Sequence, residues 1–412
     1  MIAGPDPLSG AEIESRLRQL AGFTDVAGEM TRLTLSPAHK NAVEHLGKLF
    51  RAAGMTASVD PFGTLVGRYA PDGCGPKTLL IGSHIDTVRN AGIYDGNLGV
   101  MVGLAVIESL ARDGIVLPFA IELAAFSDEE GVRFPSTLSG SKAFAGRYDP
   151  KWLDEMDGAG VRRRGALAAF GAPSTGLHLC ARDPRKIVGY VEVHIEQGPV
   201  LEAADLPLGV VTAINGVTRG EIAVRGVAGH AGTLPMAMRC DALAAAAEMV
   251  LAVEQRARAE SDLVATVGVI ETPGGAINVV PGRTRLTLDV RAPQDEARQR
   301  AVADINAAVQ KIAAARNVEA VLEIRHEAQA TPCDPVLSDA FERQVRAMGL
   351  DTMRLPSGAG HDAMSFRGVF PVAMLFVRCL KGISHNPAEF ASEADIELSA
   401  RALRQFVQNL PA

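Results

Sequence analysis

Thr78-Leu79-Leu80-Ile81-Gly82-Ser83-His84-Ile85-Asp86 is a compact apolar run that ends in polar residues. Its length and lack of alternation mark a strand buried on both faces, as in parallel sheets. A glycine-rich loop from Asn90 to Gly99 follows, then a helix to about Arg112. Phe119 to Phe126 is a second buried strand, ending at Ser127-Asp128-Glu129-Glu130, and Val191 to Ile195 is a third, ending near His194 and Glu196. Upstream, Ser36-Pro37 reads as an N-cap with Pro at the first helical position, and Val43, Leu46, Leu49 and Phe50 keep helical spacing. Short strands are expected at Thr56 to Val59 and Thr64 to Tyr69. Alternating strands and helices imply an α/β domain with a mixed, largely parallel sheet and helices on both faces. Ligands of such sheets bind outside the carboxyl ends of the strands, and three polar clusters stand at three such ends.

The pattern changes after about Thr212. Glu221 to Val224, Leu263 to Val269, Arg285 to Val290 and Val318 to Arg325 read as strands, with helices over Asp241 to Arg258 and Glu296 to Arg316. This β-α-β-β-α-β order is that of a ferredoxin-like α+β domain. A chain of 412 residues exceeds one ordinary core. The expected division is therefore a discontinuous first domain, residues 1–211 and 330–412, interrupted by an inserted domain at residues 212–329.

Composition narrows the function classes. Lys plus Arg number 41 against 48 Asp plus Glu, a net charge of −7, and aromatics are 5%. An acidic chain without a basic tract beside aromatic residues is not expected to bind nucleic acid. No apolar run approaches the ~20 residues that span a bilayer, so no membrane is expected. Met1 to Gly10 lacks a basic stretch followed by an apolar one, so no secretory signal is expected. Cys74, Cys180, Cys240, Cys333 and Cys379 are scattered and odd in number, which fits a reduced, cytoplasmic protein. Phosphate-loop, dinucleotide, nucleophile-elbow and H-E-x-x-H motifs are absent.

Five polar clusters make sense together: His84-Ile85-Asp86, Asp95-Gly96, Glu129-Glu130-Gly131, His194-Ile195-Glu196-Gln197, and His385. Imidazole and carboxylate are the ligand set of borderline divalent metals such as zinc, manganese or cobalt. Residues i and i+2 of a strand face the same way, so Asp86 can hydrogen-bond the second nitrogen of His84 or of a nearby ligand. Asp95 is a carboxylate in a tight loop before a helix, free to bridge two ions. Two carboxylates at a buried strand end are costly unless compensated. Of Glu129 and Glu130, one can hold a metal while the other acts as a base. Taken singly, each cluster has a plainer reading as a strand-end histidine, an Asp-Gly turn or a solvated acidic turn. His39, His45, His178 and His326 are assigned nothing.

Longer stretches make the chain recognisable. They include Gly28-Glu29-Met30-Thr31-Arg32-Leu33, Gly82 to Val88, Tyr94-Asp95-Gly96-Asn97-Leu98-Gly99 and Ser127 to Gly131. His194-Ile195-Glu196-Gln197-Gly198, Gly229-His230-Ala231-Gly232, Asn278 to Gly282, Ser357-Gly358-Ala359-Gly360-His361-Asp362-Ala363 and Ile383-Ser384-His385-Asn386-Pro387 complete the set. With these motifs the chain resembles the allantoate amidohydrolase / N-carbamoyl-L-amino-acid hydrolase family of dimetal amidohydrolases, over nearly its full length. The resemblance implies two divalent ions (Zn, Mn or Co), one held by His84, Asp95 and His194, the other by Asp95, Glu130 and His385. It implies Glu129 as general base, with Asp86 as a catalytic-site partner that orients a metal ligand from behind. It also implies that His230 stabilises an oxyanion, and that Gln197, Asn278, Arg291 and the Gly358-Ala359-Gly360 backbone bind substrate. The inserted domain would be a lid that also forms a homodimer. The implied reaction is hydrolysis of the carbamoyl group of a ureido carboxylate, with a dipeptidase or N-acyl amino acid deacylase as the alternative. A non-catalytic binding protein on the same fold would lack part of this ligand set. Ala91, Leu234 and Val217-Thr218 depart from the family pattern, and none is a proposed ligand.

Overall fold

A computed structural model of the chain describes residues 6–172 and 175–411. The chain forms two compact units: Met1–Thr212 with Cys333–Leu355 and Ala359–Ala412, and Ala213–Pro332 with Pro356–Gly358. In chain order the first strands are β1 (Thr56–Val59), β2 (Leu65–Tyr69), β3 (Thr78–His84), β4 (Ala120–Phe126), β5 (Ile187–Ile195) and β6 (Leu208–Ile214). Then come β7 (Gly216–Arg225), β8 (Gly229–His230), β9 (Val264–Thr266), β10 (Ile270–Glu271), β11 (Val279–Val280), β12 (Arg283–Ala292) and β13 (Glu319–Ala328). The last are β14 (Thr331–Pro332), β15 (Met353–Ser357) and β16 (Val372–Val377).

The large sheet has nine strands in the order β1-β2-β4-β3-β5-β16-β6-β14, with β15 against β6. Its four central strands, β4-β3-β5-β16, are parallel, and the flanks are antiparallel. The centre is parallel because helices link its strands. Asn97–Arg112, which joins β3 to β4, is buried along almost its whole length. Every residue of β3 is buried, as an unalternating apolar run requires. A helix the sequence reading did not anticipate, Gly10–Ala21, packs Ile13, Leu17 and Leu20 into the same core. Its apolar stripe is narrow among polar residues. Among the described residues no helix is long and apolar enough to cross a membrane, and all five cysteines are free.

The second unit carries a five-stranded sheet in the order β10-β12-β7-β13, with β9 also on β12, and these pairings are antiparallel. Helices Ala242–Arg258 and Asp295–Arg316 bury Ala245, Met249, Ala301 and Ile305 against Ile222, Val224, Leu286 and Leu288. That is the ferredoxin-like arrangement. Of the expected strand Leu263 to Val269 only β9 forms, and a second short strand, β10, follows just beyond it. Gly268 lies in the break between them, where a glycine weakens a strand. Ala330 to Pro332 and Pro356 to Gly358, expected in the first domain, belong to the second unit. The pairing of β14 with Ala213 and Ile214 accounts for the first of these segments.

Candidate active site

The polar clusters stand where the parallel strands end. His84 closes β3, Glu129 and Glu130 follow β4, His194 is the penultimate residue of β5, and His385 lies on the loop after β16. Asp95 sits on the loop leading into helix Asn97–Arg112. Gly96, just before that helix, has φ of 65°, and a Cβ there would lie 2.5 Å from the His84 ring. Only glycine meets both demands at this point.

The geometry centres on Asp95, which is 3% exposed. One oxygen, Oδ1, lies 3.3 Å from His84 Nε2 and 3.2 Å from His194 Nε2. The other, Oδ2, lies 3.4 Å from His385 Nε2, which is itself 3.6 Å from Glu130 Oε2. The ligand atoms of His84, Asp95 and His194 lie within 4.8 Å of one another, as do those of Asp95, Glu130 and His385 and those of His84, Glu129 and Glu130. Asp86, Asp95, Glu129 and Glu130 crowd together, and among the described residues no lysine or arginine pairs with them. Buried negative charge of this density calls for cations. Imidazole and carboxylate donors at this spacing fit divalent metal ions.

Hydrogen bonds fix the imidazoles. His84 Nδ1 donates to the Asp86 carbonyl at 3.0 Å and His194 Nδ1 to the Ile195 carbonyl at 2.9 Å. In its neutral form each imidazole so held presents Nε2 toward Asp95 free of a proton, the tautomer that a metal ligand needs. The Gly96 N–H donates to His194 Nε2 at 3.2 Å, consistent with that assignment. The Asp86 carboxylate does not serve His84 in the expected way, since its Oδ1 stands 3.7 Å from Nδ1. It accepts instead from the backbone N–H groups of Glu129, at 3.0 Å, and Glu130, at 3.2 Å. Strand alternation places Asp86 on the correct face, but the nearer acceptor for His84 is the Asp86 main chain.

The three successive acids after β4 divide their work. Asp128 turns away into an ion pair with buried Arg163 at 2.7 Å and a hydrogen bond from Ser139 at 2.7 Å. Glu130 faces His385, and burial together with the Asp95 charge pushes its carboxyl up to about 7. Burial, then the charges of Glu130, Asp362 and Asp86, hold Glu129 well above the usual carboxylate range, against the opposing pull of His84. A buried carboxyl whose pKa is raised in this way holds a proton more readily than a free one.

Gln197 Nε2 donates to Asp95 Oδ2 at 2.8 Å and to Ser384 Oγ at 3.3 Å. Gln197 and His385 both adopt positive φ, 58° and 55°. Such backbone strain concentrates at functional sites. Gly360 borders Glu129, since a Cβ on it would stand 3.8 Å from Glu129 Oε1. Ala359 and Gly360 belong to the first unit, whereas Gly358 belongs to the second.

His230, Asn278 and Arg291 are in the second unit. His230 and Val279 pair across the β8–β11 ribbon, and the Asn278 carbonyl accepts from Ala231 N at 2.9 Å, so His230 and Asn278 are neighbours and both exposed. Arg291 is not a free fork. Its Nε and Nη2 hold the two oxygens of Asp289 at 2.8 and 3.1 Å, and its Nη1 donates to the Gly358 carbonyl at 2.7 Å.

Several residues beside the cluster were not singled out from sequence. Glu192, fully buried, accepts from Ser83 Oγ at 2.9 Å and Tyr190 OH at 3.1 Å, and shares a potential ligand group with His194 and His361. Its alternation with His194 was a usable signal. His361 packs edge-on against His194, with ring centroids 4.5 Å apart. Arg32, wholly buried, donates through Nε to the Ile85 carbonyl at 2.7 Å and through Nη2 to Asn97 Oδ1, while Asn97 Nδ2 donates to the Asp95 carbonyl at 3.0 Å. One guanidinium thus braces both the His84 strand end and the Asp95 loop. Glu389 accepts from the N–H groups of Tyr94 and Asp95.

Comparison with known proteins gives the family. A model of the peptidase family M20/M25/M40 matches residues 80–409, a span that includes every clustered histidine and carboxylate named above. Allantoate deiminase 1 of Glycine max is 38% identical over 97% of this chain and 89% of that protein. An N-carbamoyl-L-amino acid amidohydrolase of Geobacillus stearothermophilus is 36% identical over 98% of this chain and 99% of that one. The crystal structure of an amidase of the hydantoinase/carbamoylase family from Burkholderia multivorans has a TM-score of 0.91 at 32% identity, covering 97% of both chains. On this length of match and this level of identity, the chain belongs to the peptidase family M20/M25/M40.

Proposed function

We propose that the chain hydrolyses the carbamoyl C–N bond of a small ureido carboxylate, such as allantoate or an N-carbamoyl-L-amino acid, releasing ammonia and carbon dioxide. The observation that carries this reading is the division of Asp95, whose two oxygens face three imidazoles in two groups. His84, Asp95 and His194 would hold one divalent ion, and Asp95, Glu130 and His385 the other; zinc, manganese and cobalt all suit these donors. Bound there, the ions would supply Lewis acidity and lower the pKa of water toward ~7. The relatives named for ureido hydrolysis support the choice of substrate class.

The chain's own residues do the rest. Glu129 takes a proton from the attacking water and returns it to the leaving nitrogen; its raised pKa favours holding that proton between the two transfers. Asp86, holding the Glu129 and Glu130 amides, fixes where those carboxylates start. His230 donates to the oxygen that gains charge, a contact typically worth ~3–4 kcal/mol. Asn278 and Arg291 orient the substrate, with Arg291 exchanging its Asp289 fork for the substrate carboxylate. Gln197 and the Gly358-Ala359-Gly360 backbone complete the pocket. The second unit serves as a lid and as the interface of a homodimer.

The test is ammonia release from a panel of allantoate, N-carbamoyl-L-amino acids and 3-ureidopropionate, run beside dipeptides and N-acetyl amino acids. Turnover of at least one ureido compound well above the dipeptides and N-acetyl compounds is expected. Preference for the dipeptides or N-acetyl compounds would move the function to a peptidase or deacylase using the same centre.

A further inference from the structure

Glu389 stands two residues beyond the Ile383-to-Pro387 stretch, is 5% exposed and packs under the Asp95 loop. Its Oε1 accepts from two consecutive amides, Tyr94 at 2.8 Å and Asp95 at 3.0 Å. Its Oε2 lies 3.0 Å from Ser384 Oγ, and Ser384 Oγ lies 2.7 Å from Asp95 Oδ2, to which it donates. Gly92 makes the room, since a Cβ there would fall 2.4 Å from both Glu389 Cβ and Oε1. The two amides are neutral donors, and a buried carboxyl group with no lysine or arginine partner is a costly way to hold a loop. What the arrangement achieves is specific. One side chain fixes the Asp95 backbone through an amide and its carboxylate through a hydroxyl.

We propose that Glu389 is the positioning residue for Asp95, setting the orientation in which Oδ1 faces His84 and His194 while Oδ2 faces His385. The inference rests on the metal-centre reading above. Glu389 touches no reacting atom and acts only through the Asp95 loop and Ser384. Its loss therefore loosens metal binding, as removal of a group that orients a ligand typically does by ~10–100-fold.

The test is the dissociation constant for zinc, measured by competition with a chromophoric chelator on full-length protein. Glu389→Leu is expected to bind zinc about 10–100-fold more weakly than wild type. Glu389→Gln keeps an acceptor for both amides and a donor for Ser384, and is expected within about threefold of wild type, short of the ~10–100-fold loss. Ser384→Ala breaks only the hydroxyl route and is expected to weaken zinc by about tenfold. If the leucine variant does not fold, the serine variant decides the matter. Unchanged zinc affinity in a folded Glu389→Leu or in Ser384→Ala would overturn the proposal, as would a glutamine variant as weak as the leucine one. Wild-type protein that binds no zinc, manganese or cobalt would instead overturn the metal centre itself.

Discussion

At the scale of single residues the account turns on roles that chemistry distinguishes. Glu129→Gln keeps the size and the hydrogen-bonding shape but cannot carry the proton. It is expected to retain bound metal while kcat falls by about 10²–10⁴; steady-state kinetics beside metal analysis would check this, and near-normal turnover would remove Glu129 from its role. Gly96→Ala tests the other side of the site. The new Cβ would meet the His84 ring at 2.5 Å in a backbone conformation with φ of 65°. Metal affinity should drop by at least about tenfold, as it does when a ligand is misoriented. A variant binding zinc like wild type would show that His84 is not held there for a ligand's purpose. The polar residues that the structure gathers were visible in sequence because they end apolar runs: His84 after Thr78 to Gly82, Glu129 and Glu130 after Phe119 to Phe126. Which atom each would meet was not visible. Strand parity gives Asp86 a face, and on that face its carboxylate found two amides rather than an imidazole. Glu389 escaped notice because a lone glutamate in a loop carries no pattern until its distant partners are known, whereas Glu192 was betrayed only by its i, i+2 spacing from His194.

At the scale of elements, helix Pro37–Ala52 shows how the scaffold beneath the site is held and gives a pH-dependent prediction. Ser36 caps it by accepting from His39 N at 3.1 Å, and His39 Nδ1 accepts from Leu35 N at 2.8 Å while its ring packs on Phe170. Burial, then the charges of Arg32 and Arg133, lowers His39 to about 3. The unfolded chain takes up this proton near pH 6.5 and the folded chain does not. Stability from this group is therefore fully present above pH 6.5 and is lost progressively as pH falls toward 3. Between pH 8 and pH 5 the loss should be about 2 kcal/mol. Thermal melts across that range are expected to show a steeper fall for wild type than for His39→Asn. Parallel slopes would mean His39 already titrates normally in the fold. The sequence marked His39 as a bystander, since a histidine in a helix gives no sign of being buried. It did mark the cap and the apolar spacing, whose meaning is local. Helix Gly10–Ala21 was missed for the opposite reason, because its helical character rests on packing against distant elements rather than on strong local signals.

At the scale of the whole molecule, the insertion was legible because the order of elements changes from alternating α/β to β-α-β-β-α-β. Its edges were less so, since Pro356 to Gly358 returns to the second unit from far along the chain. The parallel centre of the large sheet matters most for function, because it delivers three strand ends to one place and β16 brings the His385 loop beside them. Dialysis against a chelator is expected to abolish activity, with manganese, zinc or cobalt restoring it. Activity that survives exhaustive metal removal would require another mechanism. The most direct test of the central claim is metal content per chain in wild type and in Asp95→Ala, by elemental analysis after removal of free ions. If Asp95 bridges a pair of ions, wild type should hold about two divalent ions per chain and Asp95→Ala should keep neither tightly, with Lewis-acid chemistry lost along with them. A wild-type protein without bound metal, or an Asp95→Ala variant that still carries the wild-type complement, would contradict it.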